Sequence, residues 1–228
     1  MALLSEADRQ TVSTQLSALE HSVTILFFTQ TIGAPESTLV ARQIVDELAS
    51  LSDRVTVEEV NFVLDKARAA EFGIEDIPAL VLLRNGEDSR IRFLGAPSGY
   101  EFMSLVDAVL LAGTSDSGLS QQTRTVIAER VHEPLELLVF VTPTCPHCPR
   151  AVTLAHRLAV ESPHIRATCV EATEFMDLSR RYRVNGVPKT VVNGRVEMLG
   201  ALPEDQFVDG VLGAVTPAAL PDSPAPSS

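Results

Sequence analysis

Cys145, Pro146, His147 and Cys148 are the residues whose types and spacing suggest chemistry. Two thiols separated by two residues can close into a small disulfide ring. The working nucleophile is the thiolate, which the N–H groups and positive dipole end of a helix N-terminus stabilise. Val139-Phe140-Val141 reads as the end of a buried strand, and a helix is expected over 148–161, so the motif sits at a helix mouth. In this reading Cys145 attacks a partner disulfide and Cys148 resolves the mixed disulfide. Pro146 fits the first helical turn, where a missing N–H costs little. Pro149 is less comfortable, because it removes the donor that the Cys145 carbonyl would ordinarily use. A protonated His147 favours the Cys145 thiolate, which stabilises the reduced form and makes the disulfide more oxidising.

The rival chemistry for C-x-x-C is half of a zinc site, which needs four ligands and usually a second pair. Cys169, His156 and His164 offer no such pair, so neither a metal nor a cofactor is expected. Cys169 lies within the apolar run Ile165 to Val170 and reads as a buried core thiol. His156 reads as a helix-surface residue and His164 as a helix exit, while His21 and His132 fall in turns entering strands. Glu171 closes the strand expected beside the one feeding Cys145. It is a candidate proton acceptor for Cys148, because Leu137 to Val141 carries no carboxylate; the alternative is a solvated carboxylate at a strand end.

The elements that must position these residues appear twice. Phe72-Gly73-Ile74-Glu75-Asp76-Ile77-Pro78 echoes Tyr182-Arg183-Val184-Asn185-Gly186-Val187-Pro188, an offset of 188 − 78 = 110. Each half continues with a strand, an Asn-Gly turn (Asn85-Gly86, Asn193-Gly194), a second strand and a Leu-Gly pair (Leu94-Gly95, Leu199-Gly200). Asn-Gly tolerates the positive φ that a tight hairpin turn requires. A Ser5-x-x-Asp8 opening suggests a capped helix to Leu19. Helices are expected near 36–51, 63–72, 99–112, 118–131, 174–182 and 203–214, and strands near 23–28, 54–60, 135–141 and 165–170. The resulting order, β-α-β-α-β-β-α, makes a mixed sheet with helices on both faces. The expected fold class is α/β, with units over 1–114 and 115–215 and a Pro/Ala/Ser-rich disordered tail over 216–228. The first half has no cysteine: its helix register places Pro35-Glu36-Ser37-Thr38 against the motif, with a loop about three residues longer.

A net charge of −12 argues against nucleic acid or an anionic membrane as the main partner. The first residues show no basic-plus-apolar leader and no run is long enough to span a bilayer, which points to the reducing cytoplasm. Three cysteines are too few for a disulfide framework there.

The layout resembles the thioredoxin fold in two tandem copies, and the chain is similar to the archaeal-type, glutaredoxin-like protein disulfide oxidoreductases. Leu3-Leu4-Ser5-Glu6-Ala7-Asp8, Phe93 to Phe102, Leu138 to Pro149 and Val187-Pro188-Lys189 carry the likeness. The N-terminal domain of the flavoprotein that reduces alkyl hydroperoxide peroxiredoxin is similar in the same places, including a redox-dead first unit. Cys-Pro-His-Cys also resembles the motif of a strongly oxidising periplasmic oxidase. The resemblance implies that Val187-Pro188 is a cis bend offering the Val187 backbone to an extended substrate. It implies protein disulfides and dithiols as substrates, a flavin-dependent thioredoxin-type reductase as electron source, and a peroxiredoxin as a possible dedicated acceptor. A non-catalytic binding or chaperone-like module is the reading from another class. The chain departs from the two-dithiol members by lacking the first dithiol and by carrying His147 where an aromatic is common.

Overall fold

Ile25-Leu26-Phe27-Phe28 is apolar at every position, a pattern that a strand needs only when both its faces are covered. In the computed structural model, which describes residues 4–114 and 116–215, both faces are indeed covered. Ile25 and Phe27 enter one core while Leu26 and Phe28 enter another. The second half does the same, with Leu137, Val139 and Val141 on one face and Phe140 on the other.

The first half runs α1 (Glu6–Leu16), β1 (Val23–Thr29), α2 (Ser37–Ala49), β2 (Val55–Asn61), α3 (Lys66–Phe72), β3 (Ala79–Arg84), β4 (Glu87–Leu94) and α4 (Glu101–Gly113). The second runs α5 (Gln121–Arg130), β5 (Leu135–Val141), α6 (Cys148–Glu161), β6 (Ile165–Glu171), α7 (Met176–Arg181), β7 (Lys189–Val192), β8 (Val196–Leu199) and α8 (Glu204–Leu212). The order is the expected one in both halves. Ser5 caps α1, its hydroxyl accepting the Asp8 N–H at 3.2 Å. Both Asn-Gly turns adopt positive φ at each residue, 49° and 87° in the first, 48° and 65° in the second. The expected tail over 216–228 lies outside the described residues.

The eight strands of the described residues join in one mixed sheet, ordered β2-β1-β3-β4-β6-β5-β7-β8. A single large core on one face runs through both halves, while two smaller cores lie beneath α3 and α7 on the other. The halves meet where β4 pairs parallel to β6, Ile91 to Leu94 against Ala167 to Val170. Gly95 follows at φ +100°, and a Cβ there would stand 2.7 Å from the Cβ of Glu171. Ala96 then donates its N–H to Glu174 Oε1 at 2.9 Å. At Gly99, φ +60°, a side chain would overlap the Pro143 carbonyl, so glycine lets the Tyr100 N–H reach that oxygen at 3.0 Å. The start of α4 is thereby tied to the loop that leads into the second-half cysteines.

Strand register corrects the loop length in the first half. Phe28 pairs with Ala79, and Phe140 pairs with Lys189, 110 residues after Ala79. Since 140 − 28 = 112, the loop is two residues longer, because 112 − 110 = 2, and not about three. The buried positions of α2 and α6 keep the offset of 110, so Thr38 occupies the slot of Cys148 and Pro35 that of Cys145. Among the described residues no helix is long and apolar enough to cross a membrane.

The seam can be tested by two matched substitutions. Gly200 is the counterpart of Gly95 at the free edge, with φ +87° and nothing within 4 Å of an added Cβ. Gly200→Ala is expected to cost about 1 kcal/mol from backbone strain alone. Gly95→Ala should cost about 1–2 kcal/mol more, because Glu171 must also move. Urea denaturation midpoints give the comparison, and equal losses would show that Gly95 does not govern the seam.

Candidate functional site

The loop from Thr142 to His147 drops from the end of β5 into α6, and its own backbone shapes it. The Cys145 N–H donates to Thr142 O at 3.1 Å, and the Cys148 N–H to Cys145 O at 3.4 Å. Cys145 and Cys148 are joined as a disulfide with Cα atoms 5.5 Å apart. Cys145 retains 8% of its surface and Cys148 none, so Cys145 is the more exposed of the two sulfurs. Pro146 and His147 are exposed beside them.

The structure reverses the expected roles of the two prolines. α6 begins at Cys148, so Pro146 precedes the helix and Pro149 sits in its first turn. There a missing N–H has no partner to lose. The Cys145 carbonyl takes the Cys148 N–H in place of the donor that Pro149 lacks.

Val187-Pro188 is a cis peptide, as is Ile77-Pro78 in the first half. Lys189 pairs with Phe140, which sets the bend beside the end of β5. The loop into it is held by the buried Lys189, whose Nζ donates to Tyr182 O at 2.6 Å and pairs with Glu197 at 2.7 Å. Val187 is half-buried and makes no hydrogen bond through its N–H among the described residues, whereas Ile77 is buried and its N–H is taken by Asp76 Oδ1 at 3.1 Å. The two bends therefore differ in what they can offer a ligand.

Glu171 does close β6 beside β5, paired with Val141. It is buried, not solvated, and both of its oxygens are engaged locally. They accept from the Thr173 hydroxyl at 2.8 and 2.7 Å, the Thr173 N–H at 3.2 Å and the Glu174 N–H at 2.6 Å.

Reading the second half alone misses a second buried carboxylate, Glu101. It is the first residue of α4, 1% exposed, and lines a small cavity with Val141, Cys169 and Glu171. Burial drives its pKa up from 4.5 to about 7, partly countered by the hydroxyl of Ser104 and the thiol of Cys169. A helix N-terminus stabilises an anion by only about 0.3–1 kcal/mol, so desolvation wins here. Cys169 is a core thiol as expected, yet its Sγ donates to Glu101 Oε2 at 3.7 Å, and burial with that neighbouring carboxylate pushes its own pKa up.

His156 is not on the helix surface. It is 1% exposed, packs edge-on against Phe93 with centroids 5.2 Å apart, and burial lowers its pKa to about 3, leaving a neutral core side chain. The helix α6 is flanked by α4 and β4 of the first half, so the side that looks exposed in one unit is covered by the other.

Residues 135–213 match the family model of the thioredoxin domain. The alkylhydroperoxide reductase AhpF of Enterococcus faecalis (C503A mutant) is 30% identical with a TM-score of 0.84, covering 91% of this chain and 99% of that one. A protein disulfide oxidoreductase from Aeropyrum pernix is 26% identical with a TM-score of 0.84, covering 92% and 93%. The corresponding alkyl hydroperoxide reductase protein of Escherichia coli is 29% identical over 154 residues, 68% of this chain and 27% of that protein. The chain spans less than a third of the length of such curated relatives.

The two buried groups bias stability in opposite senses with pH. A folded pKa raised above the unfolded one means that Glu101 stabilises the fold below pH 4.5, a contribution lost as pH rises through about 7. His156, lowered from 6.5 to about 3, stabilises above pH 6.5 and loses this as pH falls through about 3. The two partly cancel in wild type. Glu101→Gln removes the first term, so its stability relative to wild type should improve by about 3 kcal/mol on going from pH 4.5 to above 7. Urea titrations of the oxidised proteins across that range measure it, and a pH-independent difference would show that Glu101 ionises normally.

Proposed function

The chain belongs to the thioredoxin-fold family that includes the N-terminal domain of alkylhydroperoxide reductase AhpF and the protein disulfide oxidoreductases, and on that footing we propose that its Cys145–Cys148 dithiol exchanges disulfides with protein partners. The observation that carries this reading is the disulfide itself, closed across the mouth of α6 with the less buried sulfur outermost. Residues 115–215 form the redox unit in this proposal, and 1–114 a unit without a dithiol.

The cycle starts from the reduced protein. Cys145 thiolate attacks a partner disulfide, forming a Cys145–partner S–S bond and releasing the partner's other sulfur as a thiolate. Cys148 then loses its proton and attacks the Cys145 sulfur. This closes Cys145–Cys148 and releases the second partner thiol, so two electrons pass to the partner. The proton goes to Glu101, whose pKa burial raises from 4.5 to about 7. That role passes to Glu101 in preference to Glu171, whose oxygens already hold the turn after β6. Val187 offers its free backbone N–H to an extended segment of the partner, with Pro188 shaping the bend. Pro146 and His147 flank the attacking sulfur, and His147 shifts the couple toward oxidising potentials. Electrons return to the disulfide from a flavin-dependent thioredoxin-type reductase.

A dedicated carrier role toward a peroxiredoxin is the second reading. It is favoured by the likeness to alkyl hydroperoxide reductases, a likeness confined to less than a third of the length of such proteins.

Cysteine variants test the exchange. Cys145→Ser should abolish reduction of insulin disulfides, and Cys148→Ser should accumulate mixed disulfides through Cys145. Insulin reduction that survives in Cys145→Ser would remove Cys145 from the exchange, and a wild type that reduces no insulin would leave only a binding role for the fold. Partners held covalently by Cys148→Ser then separate the readings, since a dedicated carrier traps a peroxiredoxin alone.

The potential supplies an independent check on His147. Equilibration of His147→Gly with glutathione should give a more negative potential, by about 30 mV for each tenfold in the equilibrium constant. An unchanged or more positive potential would remove His147 from the mechanism.

A further inference from the structure

The large apolar side chains left exposed share one end of the molecule. Strands β1, β2, β4, β5, β6 and β8 run in one direction, and the disulfide lies beyond their C-terminal ends. Every strongly exposed large apolar residue among the described residues belongs to this end, and none to the opposite one. Tyr100, Met176 and Leu199 lie at the starts of α4 and α7 and the end of β8, around the redox unit. Ile32, Leu39 and Leu64, exposed at 87%, 75% and 84%, lie past β1, at the start of α2 and past β2 in the unit without a dithiol.

Loops at both ends connect the same strands, so chance exposure offers no reason for this one-sidedness. Scattered single apolar residues are ordinary on a surface, but a contiguous set marks an interaction site, and Ile32, Leu39 and Leu64 follow the ends of the neighbouring strands β1 and β2. The end that gathers them is the one where exchange takes place.

Distance decides the kind of partner. From β5 to β1 is four strand spacings and to β2 five, or about 19–24 Å at ~4.8 Å each. A small disulfide such as oxidised glutathione, or a peptide lying along Val187, does not reach from Cys145 to Leu64. A folded protein does, because a standard interface of about 800 Å² per partner is roughly 30 Å across. The first-half patch is not a second peptide site either. The Ile77 N–H is already bonded to Asp76, and Ile77 is buried.

We propose that Ile32, Leu39 and Leu64 of the unit without a dithiol form a docking platform for the folded protein that exchanges its disulfide with Cys145. The inference rests on the exchange reading above and names the partner's character: a folded protein with an apolar surface beside its disulfide. The first unit thus selects folded partners over small thiols.

The test compares the reduced wild type with the triple variant Ile32→Ser, Leu39→Ser and Leu64→Ser. These side chains are solvent-exposed, so thermal melting should be unchanged. Stopped-flow measurements use an oxidised two-cysteine peroxiredoxin as the folded probe and oxidised glutathione as the small one. The expected result is a fall of about tenfold or more in the rate constant with the peroxiredoxin and no change with glutathione. Equal effects on both probes, or none on the peroxiredoxin, overturn the proposal. So does a wild type that sediments as a dimer and a variant that sediments as a monomer with unchanged rates, since the platform then holds a second copy of the chain. A wild type inactive on both probes would instead overturn the exchange reading.

Discussion

The parallel pairing of β4 with β6 is the contact on which the other features depend. It turns two four-stranded halves into one sheet and carries the first-half segment Gly95 to Glu101 up to the second-half cysteines. Glycine at 95 and 99 is what permits the approach, since a Cβ at either would collide with Glu171 or Pro143. The same pairing buries the outer side of α6, making His156 a core residue, and buries Glu101 next to Cys169. A carboxylate of one unit thus becomes part of the chemical surroundings of the other.

The electrostatics follow from that burial. A helix N-terminus, an ion pair or a single hydrogen bond each shifts a carboxyl group by a fraction of what complete desolvation does. At Glu101 the helix start, the Cys169 thiol and the nearby Ser104 hydroxyl do not restore an ordinary acid, and the pKa settles at about 7. A group at that value releases and takes up protons near neutrality, which suits a base needed for one step and an acid in the reverse. Asp88 shows the contrast: Arg92 contacts it with two nitrogens at 2.7 and 2.6 Å, and its pKa is lowered despite the cost of burial. An arginine next to Glu101 would fix its charge and remove its use as a proton carrier.

Much of this is legible in the sequence because it is local. The C-x-x-C spacing, Ser5-x-x-Asp8 and the two Asn-Gly turns each impose a geometry within a few residues, and the structure holds them as expected. The 110-residue offset carries the two-fold layout, since it recurs at the proline bends and the helices, with the Asn-Gly turns following in the same order. What stays hidden depends on contacts between the halves. Glu101 lies in a stretch that carries the family likeness, yet nothing nearby in sequence marks it as buried. His156 departs from its expected surface position because α6 is covered by both units, whereas periodicity within one unit reveals a single covered face. The prolines of the motif exchange their expected roles because α6 starts at Cys148, a boundary that local backbone hydrogen bonds decide.

The unit without a dithiol lacks more than cysteines. Thr38 fills the slot of Cys148, Pro35 that of Cys145, and the N–H of Ile77 is closed off by the side chain of Asp76. Each of these leaves one requirement of thiol exchange unmet: the resolving sulfur, the attacking sulfur and the free backbone donor. Exposed Leu64 and Ile32 oppose solubility and add nothing to the core. Their place at the redox end, together with Glu101 supplied from the same unit, gives the first unit two tasks in the proposed exchange. In the proposed exchange Glu101 takes up the Cys148 proton, and the exposed apolar end offers the surface on which a folded partner settles.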